Sequence, residues 1–188
     1  MPKKIIILAS GGGSNAASII KHFAENPSVQ VHSVLSNRKD AGVFTKAEDL
    51  NIPVYHFDAS SPDELLSYTD KHQPDLIVLA GYLKKIPAAL VAQYPNRIVN
   101  IHPALLPKYG GKGMYGMHVH HAVKAAEEKE SGMTIHYVNE HYDEGNIIRQ
   151  ERVALSPSDS PQIIADKVLA LEHRFYPQVI EQLLIQHG

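Results

Sequence analysis

The sequence predicts an α/β fold: a doubly wound, mostly parallel twisted sheet flanked by helices, with an antiparallel edge in its C-terminal part. Three observations carry this expectation. Continuous apolar runs at 4–9 and 75–81 have the pattern of parallel strands covered on both faces. Strand-like and helix-like segments alternate as far as residue 102. After Pro107 that rhythm stops, and strand-like segments at 132–138 and 147–153 are joined by a polar turn, as in an antiparallel pair.

Taken in order, Lys4 to Ala9 is a buried strand that runs directly into Ser10-Gly11-Gly12-Gly13-Ser14-Asn15. A helix opens at Ala16, with Ile19, Ile20 and Phe23 on its apolar face. Strand, glycine loop and helix together present free backbone N–H groups and a positive helix end to an anion. The loop lacks the Lys-Ser/Thr ending of an ATP-binding loop, and no third glycine completes a dinucleotide fingerprint. It reads as a monophosphate site in preference to a purely structural turn. Ser14 and Asn15 add side-chain donors, or one of them caps the helix; the two roles are compatible.

Val29 to Leu35 is a second strand, followed by the loop 36–42, in which Asn37 either positions the loop or belongs to a solvated turn. Val43 to Leu50 reads as a helix and Ile52 to Tyr55 as a short strand. Pro62, with Asp63 and Glu64 behind it, starts a helix that reaches about His72. Asp75 to Gly81 is the clearest buried strand. It leads into Leu83-Lys84-Lys85-Ile86, where Leu83 and Ile86 either form a pocket wall or are core residues at a helix edge. Ala88 to Gln93 is a helix, and Ile98 to His102 is the next strand.

Residues 108–117 are glycine-rich without a usable period, as in a loop that is mobile or folds over a ligand. A helix is expected from Val119 to Glu130, then the strand Gly132 to Val138, the polar turn 139–146, and the strand Ile147 to Val153. The last helix, Gln162 to Gln186, is expected to carry Ile163, Ile164, Val168, Leu169 and Leu171 inside. There are no internal repeats or linkers, so residues 1–188 are read as a single domain.

Composition narrows the function. At 188 residues the chain can bury a full-sized core. Hydrophobic residues make up 44% and charged residues 20%, which is a soluble globular balance. The net charge of -2, without a basic block, argues against nonspecific nucleic-acid binding. With no cysteine, disulfides and thiolate metal sites are impossible, so a cytoplasmic enzyme is expected. The apolar run near residue 5 is too short for a signal-peptide core or a membrane span.

The chemistry centres on Asn100 and His102. Two residues apart on a strand, their side chains share one side, and the carboxyl end of a strand is where α/β sheets place ligands. An amide can donate to an oxygen that gains negative charge, and an imidazole can also move a proton. The pair points to an acyl-type transfer. On the strand 132–138, Thr134 and His136 share a face; His136 either buttresses His102 or is a satisfied buried histidine.

Five motifs coincide with these positions: the glycine loop 10–15, Val78-Leu79-Ala80-Gly81-Tyr82, Asn100-Ile101-His102-Pro103-Ala104-Leu105-Leu106-Pro107, the strand 132–138, and Asp143-Glu144-Gly145-Asn146-Ile147-Ile148. Together they resemble the folate-dependent formyltransferase superfamily, in its glycinamide ribonucleotide branch, over essentially the whole chain. The resemblance implies the formyltransferase fold and a small-molecule reaction of purine biosynthesis. A formyl group would pass directly from 10-formyltetrahydrofolate, the co-substrate, to the amine of 5'-phosphoribosylglycinamide. By the same resemblance Asn100, His102 and Asp143 are the catalytic positions. Asn100 and His102 would stabilise the oxyanion, while Asp143 tunes His102 toward its charged form and relays a proton. Gly13, Ser14, Asn15, Pro103 and Glu172 match the substrate-binding set. Leu83, Lys84, Lys85, Ile86, Val138, Asn139, Glu140 and His141 match the folate pocket, with Asn100 and Asp143 at its edge. Thr134 and His136 are supporting positions. No metal, nucleic acid or membrane is implied, and a monomer or homodimer is expected.

The sequence also departs from the family. Many relatives carry Met-Arg-Ile-Leu where this chain has Leu83-Lys84-Lys85-Ile86, so folate contacts are expected to use backbone more than side chains. Residues 58–64 lack an arginine that some members have, the 108–117 loop is longer than the common form, and Leu169 replaces a polar ribose contact. The competing readings are a formyltetrahydrofolate hydrolase, a formyltransferase with further domains, and a non-catalytic phosphate-binding module. In the last case Asn100, His102 and Asp143 need not converge.

Overall fold

The computed structural model describes residues 1–186; the last two positions of the expected 1–188 unit lie outside the described residues. Thirteen elements follow in order: β1 (Lys3–Leu8), α1 (Ser14–Phe23), β2 (Val29–Ser36), α2 (Val43–Glu48), β3 (Val54–His56), α3 (Pro62–His72), β4 (Leu76–Leu79), α4 (Ala88–Gln93), β5 (Ile98–His102), α5 (Met117–Ala125), β6 (Glu130–Tyr137), β7 (Ile147–Ala154) and α6 (Pro161–Gln186). They form one seven-stranded sheet in the order β3-β2-β1-β4-β5-β6-β7. The first five strands pair in parallel. β6 and β7 are antiparallel. The doubly wound sheet with an antiparallel C-terminal edge is therefore the observed architecture.

The topology locates the site. From β1 the chain winds outward to β2 and β3, then returns to place β4 on the other side of β1. A crevice opens beyond the carboxyl ends of strands at such a reversal. The apolar runs behave as read. Ile5, Ile6, Ile7 and Leu8 of β1, and Leu76, Ile77 and Val78 of β4, have no exposed surface. One layer of core joins β1, α1, α5 and α6, and another joins the opposite sheet face to Leu65 of α3 and Leu90 of α4. Tyr176 of α6 is fully buried and donates from its hydroxyl to the carbonyls of Leu79 and Val99. That contact seats the last helix against the ends of β4 and β5.

Three expectations need correction. The helix expected over 119–130 ends at Ala125; Glu127 takes a left-handed φ of 51°, and Glu130 already belongs to β6. The charge run 127–130 has no apolar face to bury, so nothing extends the helix through it. Ile163 is 44% exposed and lies outside the core. The buried positions of α6 instead begin Ile164, Val168, Glu172, Tyr176 and Ile180, a spacing of four that leaves Ile163 off the stripe. Helix α1 starts at Ser14, so Ser14 and Asn15 belong to its first turn; the N-cap is Gly13, with no side-chain cap bond.

Candidate functional site

The crevice at the strand ends is a cavity of about 1150 Å³, more than one small ligand needs. The glycine loop forms one end, residues 79–86, 138–139 and 141–143 form another wall, and Asn100, His102 and Pro103 lie between them.

The glycine loop is shaped by backbone conformation. Gly13 has φ 71°, and an added Cβ would run into the side chain of Val43. Only glycine meets both demands without strain. Gly13→Ala should therefore move Val43 and the start of α1, costing on the order of 2 kcal/mol of stability. Thermal unfolding checks it. Neither Ser14 nor Asn15 caps the helix. Asn15 reaches across the chain instead and donates from Nδ2 to Glu172 Oε2 at 2.7 Å. Its Oδ1 is buried without a partner.

Glu172 is 6% exposed, and burial pushes its carboxyl up to about 7, against a smaller opposing effect of the Asn15 bond. The consequence for stability has a definite sign. Below pH 4.5, the carboxyl's ordinary value, folded and unfolded chains both hold the proton. Between pH 4.5 and about 7 only the folded chain keeps it, so stability falls as pH rises. Glu172→Gln should thus raise stability at pH 8 by up to on the order of 3 kcal/mol, seen as a higher unfolding midpoint, and do nothing at pH 4. Thermal melts at the two pH values decide it.

Ser10 joins three strand ends. Its hydroxyl donates to Asn37 Oδ1 at 2.7 Å and accepts the N–H of Leu83 at 3.0 Å. Asn37 positions the loop in this way, and the 83–86 wall is tied to the glycine loop. Leu83, Lys84 and Lys85 are exposed on the cavity rim, while Ile86 is buried. Val138, Asn139 and His141 also line the cavity; Glu140 is exposed and is not part of its wall.

Asn100, His102 and Asp143 converge. Asn100 Nδ2 donates to His136 Nε2 at 3.1 Å. His136 can accept there because its Nδ1–H donates to the Tyr137 carbonyl at 2.8 Å. His136 thus contacts Asn100, not His102. His102 donates from Nε2 to the Tyr109 carbonyl at 2.7 Å, which leaves Nδ1 facing Asp143 Oδ2 at 3.5 Å. The second carboxylate oxygen lies 3.6 Å from His136 Nε2. Asp143 is held at a left-handed φ of 58°, a conformation that Asp and Asn tolerate better than most side chains. Gly111 N–H donates to Asp143 Oδ2 at 2.9 Å. Thr134 supports the segment after β5, donating to the Ala104 carbonyl at 2.6 Å and accepting from Leu106 N at 3.0 Å.

The protonation states follow from burial and partners. Burial lowers the His102 pKa and His136 adds to that; Asp143 and the Tyr109 carbonyl oppose it, and burial wins. Asp143 does push His102 toward the charged form, but less strongly than burial pushes back. For Asp143, burial works to raise the pKa, yet His136, His102 and the Gly111 N–H together hold it below its ordinary value. The resting pair is a carboxylate beside a neutral imidazole with an open Nδ1. His120, buried in the same cavity, is pushed down to about 4 by burial and by neighbouring His102 and His121.

Two participants are invisible to a reading by residue type: the Tyr109 carbonyl and the Gly111 N–H, both backbone groups. Ser10 carries no signal beyond its place in the glycine loop, and its proximity to the Leu83 segment follows from the pairing of β1 with β4. Among the described residues, no cluster of three or more His, Cys, Asp or Glu could hold a metal ion. No described helix is long and apolar enough to cross a membrane.

Comparison with known proteins adds a separate line. The formyl transferase family model matches residues 3–180. A chloroplastic phosphoribosylglycinamide formyltransferase of Arabidopsis thaliana is 43% identical over 95% of this chain and 64% of its own length. The chain spans under two thirds of this relative and of a second plant relative, from Vigna unguiculata, of which it covers 61%. The phosphoribosylglycinamide formyltransferase of Bacillus subtilis (strain 168) is 34% identical, with 97% of this chain and 95% of the relative covered. Among solved structures, glycinamide ribonucleotide transformylase 1 of Symbiobacterium toebii superposes with a TM-score of 0.90 at 30% identity, covering 98% of this chain and 89% of that one.

Proposed function

The chain belongs to the formyl transferase family, and on that premise we propose that it moves the formyl group of 10-formyltetrahydrofolate onto the amine of 5'-phosphoribosylglycinamide, as the names of its relatives suggest. The observation that carries this reading is the convergence of Asn100, His102 and Asp143 in a cavity that also holds a glycine loop. A non-catalytic binding module has no need of that convergence.

The cavity lining offers groups suited to both substrates. Backbone N–H groups of the glycine loop and the start of α1 take the phosphate. Glu172 and the unpartnered Asn15 Oδ1 offer polar contacts to the sugar. Leu83, Ile86 and Val138 supply an apolar wall for a flat ring, with Lys84 and Lys85 at its rim for carboxylates. The donor supplies a formyl carbon bound to nitrogen.

This chain's residues then have defined tasks. Asn100 Nδ2 carries two protons; one goes to His136, and the other serves the formyl oxygen as negative charge develops there. Asp143 accepts the proton that the attacking amine gives up, directly or through water. His102 Nδ1 is the next acceptor, and once charged it donates to the same oxygen. The Tyr109 carbonyl keeps the other ring proton in place throughout. The bond from carbon to the folate nitrogen breaks as the bond to the amine forms, and the amine's proton ends on the folate nitrogen.

A turnover assay tests this reading. Purified protein with both substrates should release the deformylated folate, followed by its absorbance. No turnover, or turnover equally fast without the ribonucleotide, would overturn it.

A further inference from the structure

One loop reaches both polar partners of the proposed reaction. The Tyr109 carbonyl accepts the Nε2–H of His102, and two residues later Gly111 donates to Asp143. Tyr109 holds a left-handed backbone with φ 56°, which a bulky side chain seldom adopts. Its phenol is what ties it down. Tyr109 Oη donates to Glu128 Oε1 at 2.9 Å, and Lys108 Nζ donates to the same oxygen at 2.8 Å. Glu128 follows α5 and is not part of the large cavity. It lines a smaller cavity of about 250 Å³ with Tyr109, Leu106 and Ser131.

We propose that Glu128 is a positioning residue for the transfer: by fixing the Tyr109 phenol it holds the Tyr109 carbonyl on His102 and the Gly111 N–H on Asp143. The proposal rests on the role given to His102 above. The physical reason is tautomeric. With Nε2–H committed to a carbonyl, the ring turns Nδ1 toward Asp143. If that carbonyl withdraws, the ring is free to rotate and the open Nδ1 is no longer aimed. The other groups around His102, namely Asp143, His136 and His120, do not take the Nε2–H, which goes to the Tyr109 carbonyl. Glu128 acts at a distance and touches neither substrate in this scheme.

The test uses the full chain, labelled with ¹⁵N at histidine. In the wild type the His102 Nε2–H resonance should lie downfield and exchange slowly, and it is assigned by its loss in His102→Gln. In Glu128→Ala it should vanish into solvent exchange. There kcat should fall about tenfold while both KM values stay within about threefold. Tyr109→Phe, which removes only the hydroxyl, should repeat this result and covers the case in which Glu128→Ala folds poorly. Glu128→Gln keeps an acceptor for the phenol and should restore both readouts. A resonance unchanged in Glu128→Ala and Tyr109→Phe would overturn the proposal. A lost resonance with unchanged kcat would support the clamp and count instead against the role assigned to His102.

Discussion

Asp143→Asn should lower kcat by about three orders of magnitude while leaving ribonucleotide binding within about threefold. The substitution is nearly isosteric, and Asn tolerates the left-handed backbone at this position as well as Asp does. The fold should therefore survive. What is lost is the charge. An amide cannot accept the amine's proton, and it removes the carboxylate 3.5 Å from His102 Nδ1. Steady-state kinetics give kcat, and calorimetric titration gives binding. Near-normal kcat would refute the proton role of Asp143.

Asn100→Ala should cost about a hundredfold to a thousandfold in kcat, the usual effect of deleting one oxyanion donor. Part of the loss comes from the missing N–H itself. A further part comes from His136, whose Nε2 would lose the Asn100 hydrogen bond at 3.1 Å. KM should change little, because the donation matters most when the oxygen carries charge. A variant with raised KM and unchanged kcat would mean that Asn100 serves binding alone.

These effects depend on features that were unequally legible in the chain. The sheet was readable because β1 and β4 are continuous apolar runs, which only a strand covered on both faces explains well. Asn100 and His102 were readable as neighbours because a strand's period of two fixes which side chains share a side. Asp143 was legible only through the family resemblance, since no local rule brings residue 143 to residue 102; that placement follows from the antiparallel pairing of β5 with β6. Asn15 and Glu172 are joined across 157 positions by the packing of α1 against α6, which no local pattern signals. The Tyr109 and Gly111 contacts come from the backbone, which carries no side-chain signature. The end of α5 was missed because charged residues at 127–130 have good helix propensity but nothing to pack against. Ile163 was misplaced because the apolar stripe of α6 starts one residue later.

The central claim is that one cavity brings a formyl donor and a ribonucleotide amine to Asn100, His102 and Asp143. Its most direct measurement follows the carbon. The donor would carry ¹³C in the formyl group, and products would be read by NMR after incubation with the protein and the ribonucleotide. The label should appear as an amide formyl on the ribonucleotide in the wild type, and appear far more slowly with Asp143→Asn. Label recovered as free formate, or retained on the donor, would contradict the account.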